Sequence, residues 1–269
     1  MINFDFDYYR PSKIEDAYNL MNKLANDGLK AVYYSGGTEL ITSFRKGTVK
    51  ADAVIDIKNI EGMTIINNKS IEVTIGSCAS LNKVIETFKD TILSEVLVTI
   101  ADHTARNAIT IGGNILGKLT YKEALLPLLA LKASVLVYTK EGIKEITLEQ
   151  VFDKRIKLDK ADILFQIKFN KNNMSTYHTK RYTESTEVDY PILHIVSTKI
   201  ETGYFIGLSG YSNFPIYQNF ELKETIEEDI YNYFEEFAKE DIRSSKDYRR
   251  HLLKTVLKDM EMGLEGFND

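Results

Sequence analysis

Two adjacent glycines in Asn107-Ala-Ile-Thr-Ile-Gly-Gly-Asn-Ile115 close an apolar, β-branched run, so side chains are missing where the backbone has to turn. Without Cβ atoms, bare N–H groups approach a ligand closely, and a row of them carries the partial positive charge that suits a phosphate. Thr110 and Asn114 flank the pair with a hydroxyl and an amide able to reach phosphate or ribose oxygens. A second stretch, Ser35-Gly36-Gly37-Thr38-Glu39, repeats this chemistry. It lies between strand-like Ala31-Val-Tyr-Tyr34 and helix-like Glu39-Leu-Ile-Thr-Ser-Phe-Arg-Lys46, so backbone amides and a helix N-terminus would converge on an anion. Either pair alone also reads as a tight turn. Two of them, about seventy residues apart, can grip a diphosphate from both sides.

The flanking pattern predicts an α+β chain. Phe4, Phe6 and Tyr8 alternate as in a short edge strand ended by Pro11, and Ser12-Lys-Ile-Glu15 reads as a capping box for a helix with Ile14, Ala17, Leu20, Met21 and Leu24 on one face. Gly28 is a plausible stop, and Ala53-Val-Ile-Asp-Ile57 completes a small βαβ-like lobe over residues 1–58. This lobe lacks a GxGxxG fingerprint, which disfavours a Rossmann fold. A larger mixed or antiparallel lobe follows over 59–169. Its predicted elements are a hairpin from Met63 to Ile75, helices Leu81–Phe88, Ile92–Ala101 and Glu123–Leu131, a hairpin from Ser134 to Leu148, and a closing strand from Asp162 to Phe169. Asn170-Lys-Asn-Asn173 marks the domain boundary. A small domain over 174–269 is predicted to hold a three-stranded antiparallel sheet (Thr176–Tyr182, Ile192–Ile200, Tyr204–Gly210) covered by helices Leu222–Lys239 and Ser245–Gly263.

Composition narrows the function. A net charge of -5 and a pI near 5.6 offer no long-range attraction to nucleic acid or an anionic membrane. The longest apolar run, Ala124–Leu131, is too short to span a bilayer, and the start lacks a basic region followed by an apolar run, so a cytoplasmic protein is expected. The single cysteine, Cys78, rules out an internal disulfide and any all-cysteine iron–sulfur or zinc site within the chain. His103, His178, His194 and His251 show no metal spacing, and Ser35 has no GxSxG elbow, so neither a metal centre nor a hydrolase nucleophile is expected.

The two glycine pairs, in this order and followed by Asp241-Ile-Arg-Ser-Ser-Lys-Asp-Tyr-Arg-Arg-His251, resemble the FAD-binding (medium) subunit of the molybdenum hydroxylase family, of xanthine dehydrogenase and carbon monoxide dehydrogenase type. The resemblance implies a two-lobed FAD-binding domain and FAD as cofactor. Tyr33, Tyr34, Ser35, Gly36, Gly37, Thr38, Glu39 and Leu40 would then contact the diphosphate and ribityl chain, with Gly36 and Gly37 donating backbone hydrogen bonds. Ile100, Ala101 and Ala105 would pack near the cofactor; Thr110, Ile111, Gly112, Gly113, Asn114 and Ile115 would complete the cradle; Leu164 would sit near the adenine. The family commonly has Asp nine residues after the Asn of its glycine motif, and Glu123 occupies that position. Where the family often reads Ser-Pro-x-x-Asp, this chain has Leu119-Thr-Tyr-Lys-Glu123. Lys180 and Arg181 match a basic pair that lies near the flavin ring, where a cation stabilises the reduced anion.

The resemblance also implies a hetero-oligomer with a molybdenum-cofactor subunit and a 2Fe-2S subunit. Electrons would pass from partner clusters through FAD to NAD+ or another acceptor, with no catalytic acid–base residue in this chain. Tyr33, Tyr34 or Tyr190 could stack on flavin or gate nicotinamide, whereas Arg243, Tyr248, Arg249 and Arg250 are expected to lock the C-terminal domain or face a partner. Two rivals remain at this point: a self-contained flavoprotein oxidase or reductase of a related two-lobed fold, and a cofactor-free scaffold subunit.

Overall fold

The computed structural model describes residues 1–174, 176–185, 188–221 and 226–264. The first lobe holds β1 (Asp7–Tyr9), α1 (Ile14–Asn26), β2 (Ala31–Tyr34), α2 (Thr38–Lys46) and β3 (Ala53–Asp56). Its three strands are parallel, in the order β1-β3-β2. Ala17, Met21 and Leu24 lie on one face of α1 by helical spacing and are buried with Ala31, Ala53 and Ile55. Gly28, at φ 78°, stops α1 in the left-handed conformation a Cβ would disfavour. The predicted capping box does not form. α1 starts one residue after Lys13, which is extended and makes no side-chain cap; Glu15 and Asp16 in the first turn supply the charge that suits a helix N-terminus instead.

The second lobe runs through β4 (Ile66–Asn67), β5 (Glu72–Gly76), α3 (Leu81–Thr87), α4 (Ile92–Leu97), α5 (His103–Ala108), α6 (Ile111–Leu116), α7 (Leu125–Ala130), β6 (Ser134–Thr139), β7 (Gly142–Thr147), α8 (Leu148–Val151), β8 (Phe152–Asp153), β9 (Arg155–Ile156) and β10 (Ile163–Asn170). Five strands make an antiparallel sheet in the order β4-β5-β10-β6-β7, against which the helices pack. The helix expected over Ile92–Ala101 ends at Leu97, because Ala101 adopts φ 52° and Asp102 caps a new helix by accepting the Ala105 N–H at 2.8 Å.

The remaining elements are β11 (Tyr177–Thr183), β12 (Pro191–Ile200), β13 (Gly203–Ser209), β14 (Ile216–Glu221), α9 (Ile226–Phe234) and α10 (Lys246–Leu264). The sheet has four strands rather than the three expected, since β14 adds to the edge of β13 with Ile206 opposite Gln218 and Leu208 opposite Ile216. The start of the expected Leu222–Lys239 helix, residues 222–225, lies outside the described residues. β12 and β13 are covered on both faces. Val196 and Phe205 join the large core of the second lobe beside α7, while Leu193, Ile195, Ile206 and Leu208 meet α9 and α10. This is the alternation that period-two side-chain geometry demands.

Candidate nucleotide-binding cleft

Between the lobes runs a cleft of about 780 Å³, within the size range of small-molecule sites. The first glycine pair joins β2 to α2. Gly37 has φ 71° and lies against the Tyr34 ring, where a Cβ would come within 2.3 Å of it. At Gly36 a Cβ would sit 1.9 Å from the Ala108 carbonyl oxygen of the other lobe, so only glycine permits this backbone-to-backbone approach. The first bond inside α2 runs from the Ile41 N–H to Gly37 O at 2.8 Å, so the amides of Thr38, Glu39 and Leu40 precede the helical ladder. Among the described residues no protein acceptor meets the amides of Gly36, Gly37 or Thr38. These residues line the cleft at the N-terminus of α2, where unpaired amides and the helix dipole suit a negative charge.

The second glycine pair is built differently. It lies in the first turn of α6 rather than in a loop: Thr110 is the N-cap, and its hydroxyl accepts the Gly113 N–H at 3.2 Å. The amides of Ile111 and Gly112 donate to Ala79 O (3.0 Å) and Ser77 O (2.8 Å). A Cβ on Gly112 would lie 2.6 Å from that of Ser77, so Gly112 serves close packing. The pairs meet through hydroxyls, with Ser35 Oγ 2.8 Å from Thr110 Oγ1 and 3.2 Å from Cys78 Sγ.

Of the residues carried by the resemblance, Tyr33 to Leu40, Ile100, Ala101, Thr110, Gly112, Gly113, Asn114, Glu123 and Leu164 line the cleft. Four do not. Ile111 and Ile115 turn fully buried side chains into the second-lobe core, and half-buried Ala105 lies outside the lining. Lys180 is exposed and sits opposite Ile195, a residue of the core under α9 and α10; neighbouring Arg181, on the other face of β11, lines the cleft. Tyr33 is half-buried, donates to Ala161 O at 2.8 Å, and has its phenol pushed well above its usual range by burial.

Glu123 is buried and fully engaged: Arg181 Nε donates to it at 2.7 Å, and His194 Nδ1 lies 2.6 Å away. Burial alone would push its carboxyl up, but His194 and Arg181 outweigh that and hold it below the usual carboxylate range. His194 Nε2 is 3.0 Å from Thr179 Oγ1 on the neighbouring strand, so the Glu123–His194 contact ties the cleft wall to the C-terminal sheet. The Glu123 carboxylate thus meets strands β11 and β12, and Asn114 Oδ1 accepts the Ala124 N–H at 3.2 Å.

Lys118, Tyr121 and Lys122 also line the cleft, and the sequence assigned none of them a role there, although it singled out their neighbours Glu39, Tyr190 and Arg243. Lys122, at φ 41°, is buried and donates to Ile115 O at 3.2 Å and to Gly117 O; burial lowers its ammonium to about 8, against an upward pull from Glu39. Glu39 accepts the Lys118 N–H with both oxygens, at 2.9 and 3.0 Å, bridging the lobes at the mouth. Tyr121 stacks on Tyr190 with centroids 4.5 Å apart, and Arg243 covers Tyr190 while pairing with Asp189. Arg106 is a hidden support: Nη1 gathers the carbonyls of Val98, Ile100 and Ala101 and so holds the positive-φ turn that lines the cleft. It is the one buried residue of α5, whose polar sequence carries no local sign of that burial.

A parallel lobe with free amides after its second strand, facing a mixed lobe across a ligand-sized cleft, defines a two-lobed nucleotide-binding protein. Residues 4–169 match the family described as "FAD binding domain in molybdopterin dehydrogenase", and the chain belongs to that family. It is similar to the carbon monoxide dehydrogenase medium chain of Afipia carboxidovorans, 32% identical over 118 residues, or 42% of this chain and 40% of that protein. It is also similar to the nicotinate dehydrogenase FAD-subunit of Eubacterium barkeri, 23% identical over 154 residues, covering 55% of this chain and 51% of that protein. The alignments thus span about half or less of these relatives. The fold matches carbon monoxide dehydrogenase from Hydrogenophaga pseudoflava (TM-score 0.82, 18% identity, 96% of both chains) and quinoline 2-oxidoreductase from Pseudomonas putida 86 (TM-score 0.80, 16% identity, 96% of both chains). Among the described residues no helix is long and apolar enough to cross a membrane, and no three His, Cys, Asp or Glu side chains are grouped to hold a metal.

Proposed function

We propose that the chain is the FAD-holding electron-transfer subunit of a molybdenum hydroxylase complex. In this reading it receives electrons from iron–sulfur centres on a partner chain and delivers them to NAD+ or another acceptor. The observation that carries it is the set of amides at Gly36, Gly37 and Thr38, free of protein acceptors and placed at the N-terminus of α2, where a diphosphate would satisfy them. FAD, when bound, supplies the one- and two-electron chemistry. The chain's own residues would bind, orient and insulate it. Gly36 to Thr38 would hold the diphosphate, the pocket about Asp162, Ile163 and Leu164 would take the adenine end, and Ile100 and Ala101 would exclude water along the wall. Arg181, held by Glu123, would be the member of the Lys180–Arg181 pair to lie beside the ring system, the position the resemblance implies for that pair.

The family assignment weighs against a cofactor-free scaffold. The single, buried Cys78 supports the placement of any iron–sulfur centre on another chain, and the charged residues over the cleft mouth (Arg181, Asp189, Arg243) are tied into ion pairs rather than free for acid–base work, which disfavours a self-contained oxidase. The test is isolation of the native assembly under gentle conditions, with flavin released by unfolding and metals measured in the same sample. FAD with molybdenum, iron and two further chains is the expected result. A lone monomer without flavin would overturn the reading.

A further inference from the structure

We propose that Lys58 is a positioning residue that aims the anion-binding amides of the first glycine pair. The inference rests on the FAD reading above and adds a residue that the cleft lining does not include. Lys58 follows β3 and lies behind the Ser35–Gly36 turn, where its ammonium donates to Ser35 O at 3.0 Å and to both Asp56 oxygens at 2.8 Å. The same nitrogen lies 4.0 Å from the centroid of the Tyr34 ring. Asp56 is buried, is held from the other side by the Tyr8 hydroxyl at 2.5 Å, and accepts the Lys58 N–H at 3.0 Å. Burial works against its ionisation, but the bonds from Lys58 and Tyr8 outweigh it.

The three directions available to an ammonium are therefore all occupied, and the Lys58 head is fixed. In a planar trans peptide the C=O and the following N–H point in opposite directions. Pinning Ser35 O onto Lys58 behind the turn therefore turns the Gly36 N–H the other way, into the cleft. Since Asp56 balances the charge of Lys58, its effect on a bound diphosphate is orientational more than electrostatic. If the Ser35 carbonyl were released, the peptide could flip and set an oxygen against the phosphate instead of a donor. Glycine at 36 makes such a flip easy, which is why an external anchor matters here.

The test compares FAD affinity, by titration of the 269-residue chain, across Lys58→Met, Lys58→Arg and Tyr8→Phe, with the ligand-free melting midpoint measured for each. Lys58→Met is expected to weaken FAD binding at least ~10-fold, or ~1.4 kcal/mol. Lys58→Arg, which keeps a donor for Ser35 O and a partner for Asp56, should recover most of that loss. Tyr8→Phe loosens the same cluster without touching Ser35 O, so it should lower the melting midpoint while leaving FAD affinity within about twofold. Equal affinity losses in Lys58→Met and Tyr8→Phe, or no loss in Lys58→Met, would overturn the proposal. Should Lys58→Met fail to fold, hydrogen exchange at the Gly36 amide of the wild type decides: ADP should slow it, and unchanged exchange with ADP bound overturns the proposal. A wild type that binds neither FAD nor ADP instead overturns the flavin reading itself.

Discussion

At Gly36 the two lobes touch backbone to backbone, so a single methyl group has nowhere to go. Gly36→Ala is expected to push Ala108 away, open the Ser35–Thr110 hydroxyl contact and weaken FAD binding at least ~10-fold, as read by flavin titration. Lys122 gives a pH-dependent expectation. Its folded value of about 8 lies below the usual 10.5, so between those values the unfolded chain binds more protons and this group makes stability rise with pH. Below pH 8 the buried ammonium costs the fold. Lys122→Met should therefore flatten the rise in melting temperature from pH 8 to 10.

Among the elements, the closing helix depends on one buried cation. Arg249 is fully buried and donates to the carbonyls of Ile192, Gly210, Lys239 and Ser244 and to Asp241 at 2.9 Å, joining α10 to β12 and to the turn before it. Arg249→Met should destabilise the protein by about 3 to 5 kcal/mol in chemical denaturation, because those acceptors lose their donor. Burial opposes ionisation of Asp241, yet bonds from Arg249, Lys239 and the Arg243 N–H lower it to about 2. A depressed carboxyl contributes its stability above its unfolded value, so this part is complete above about pH 4 and is lost as pH falls towards 2. The sequence made this helix and the first-lobe βαβ pattern legible, since both rest on local periodicity. The second glycine pair misled for a physical reason: glycine has poor helix propensity, and only the packing of Gly112 on Ser77 and the Thr110 cap make a helix there. β14 was missed because an edge strand with Gln218, Asn219 and Glu221 in six residues gains its identity from β13. The engagement of Glu123 with Arg181 and His194 joins residues 58 and 71 positions apart, and no local pattern records such a meeting.

For the molecule as a whole, the cleft is defined by ties between lobes as much as by its walls. Glu39 reaches from α2 to the Lys118 N–H across the mouth, and Tyr33 reaches Ala161 at the other end. Glu39→Ala should leave the fold intact and speed FAD release severalfold in a stopped-flow dilution experiment, since it removes a tie at the mouth without touching the free amides. The double-sided burial of β12 and β13 bears on how the protein comes apart. Val196 and Phe205 are shared with the segment before Asn170, so scission in the Asn170–Asn173 turn should yield fragments that still co-elute on gel filtration until urea is added. The later third of the chain is thus less a passenger than a keystone: lifting it out would leave the roof over α7 missing.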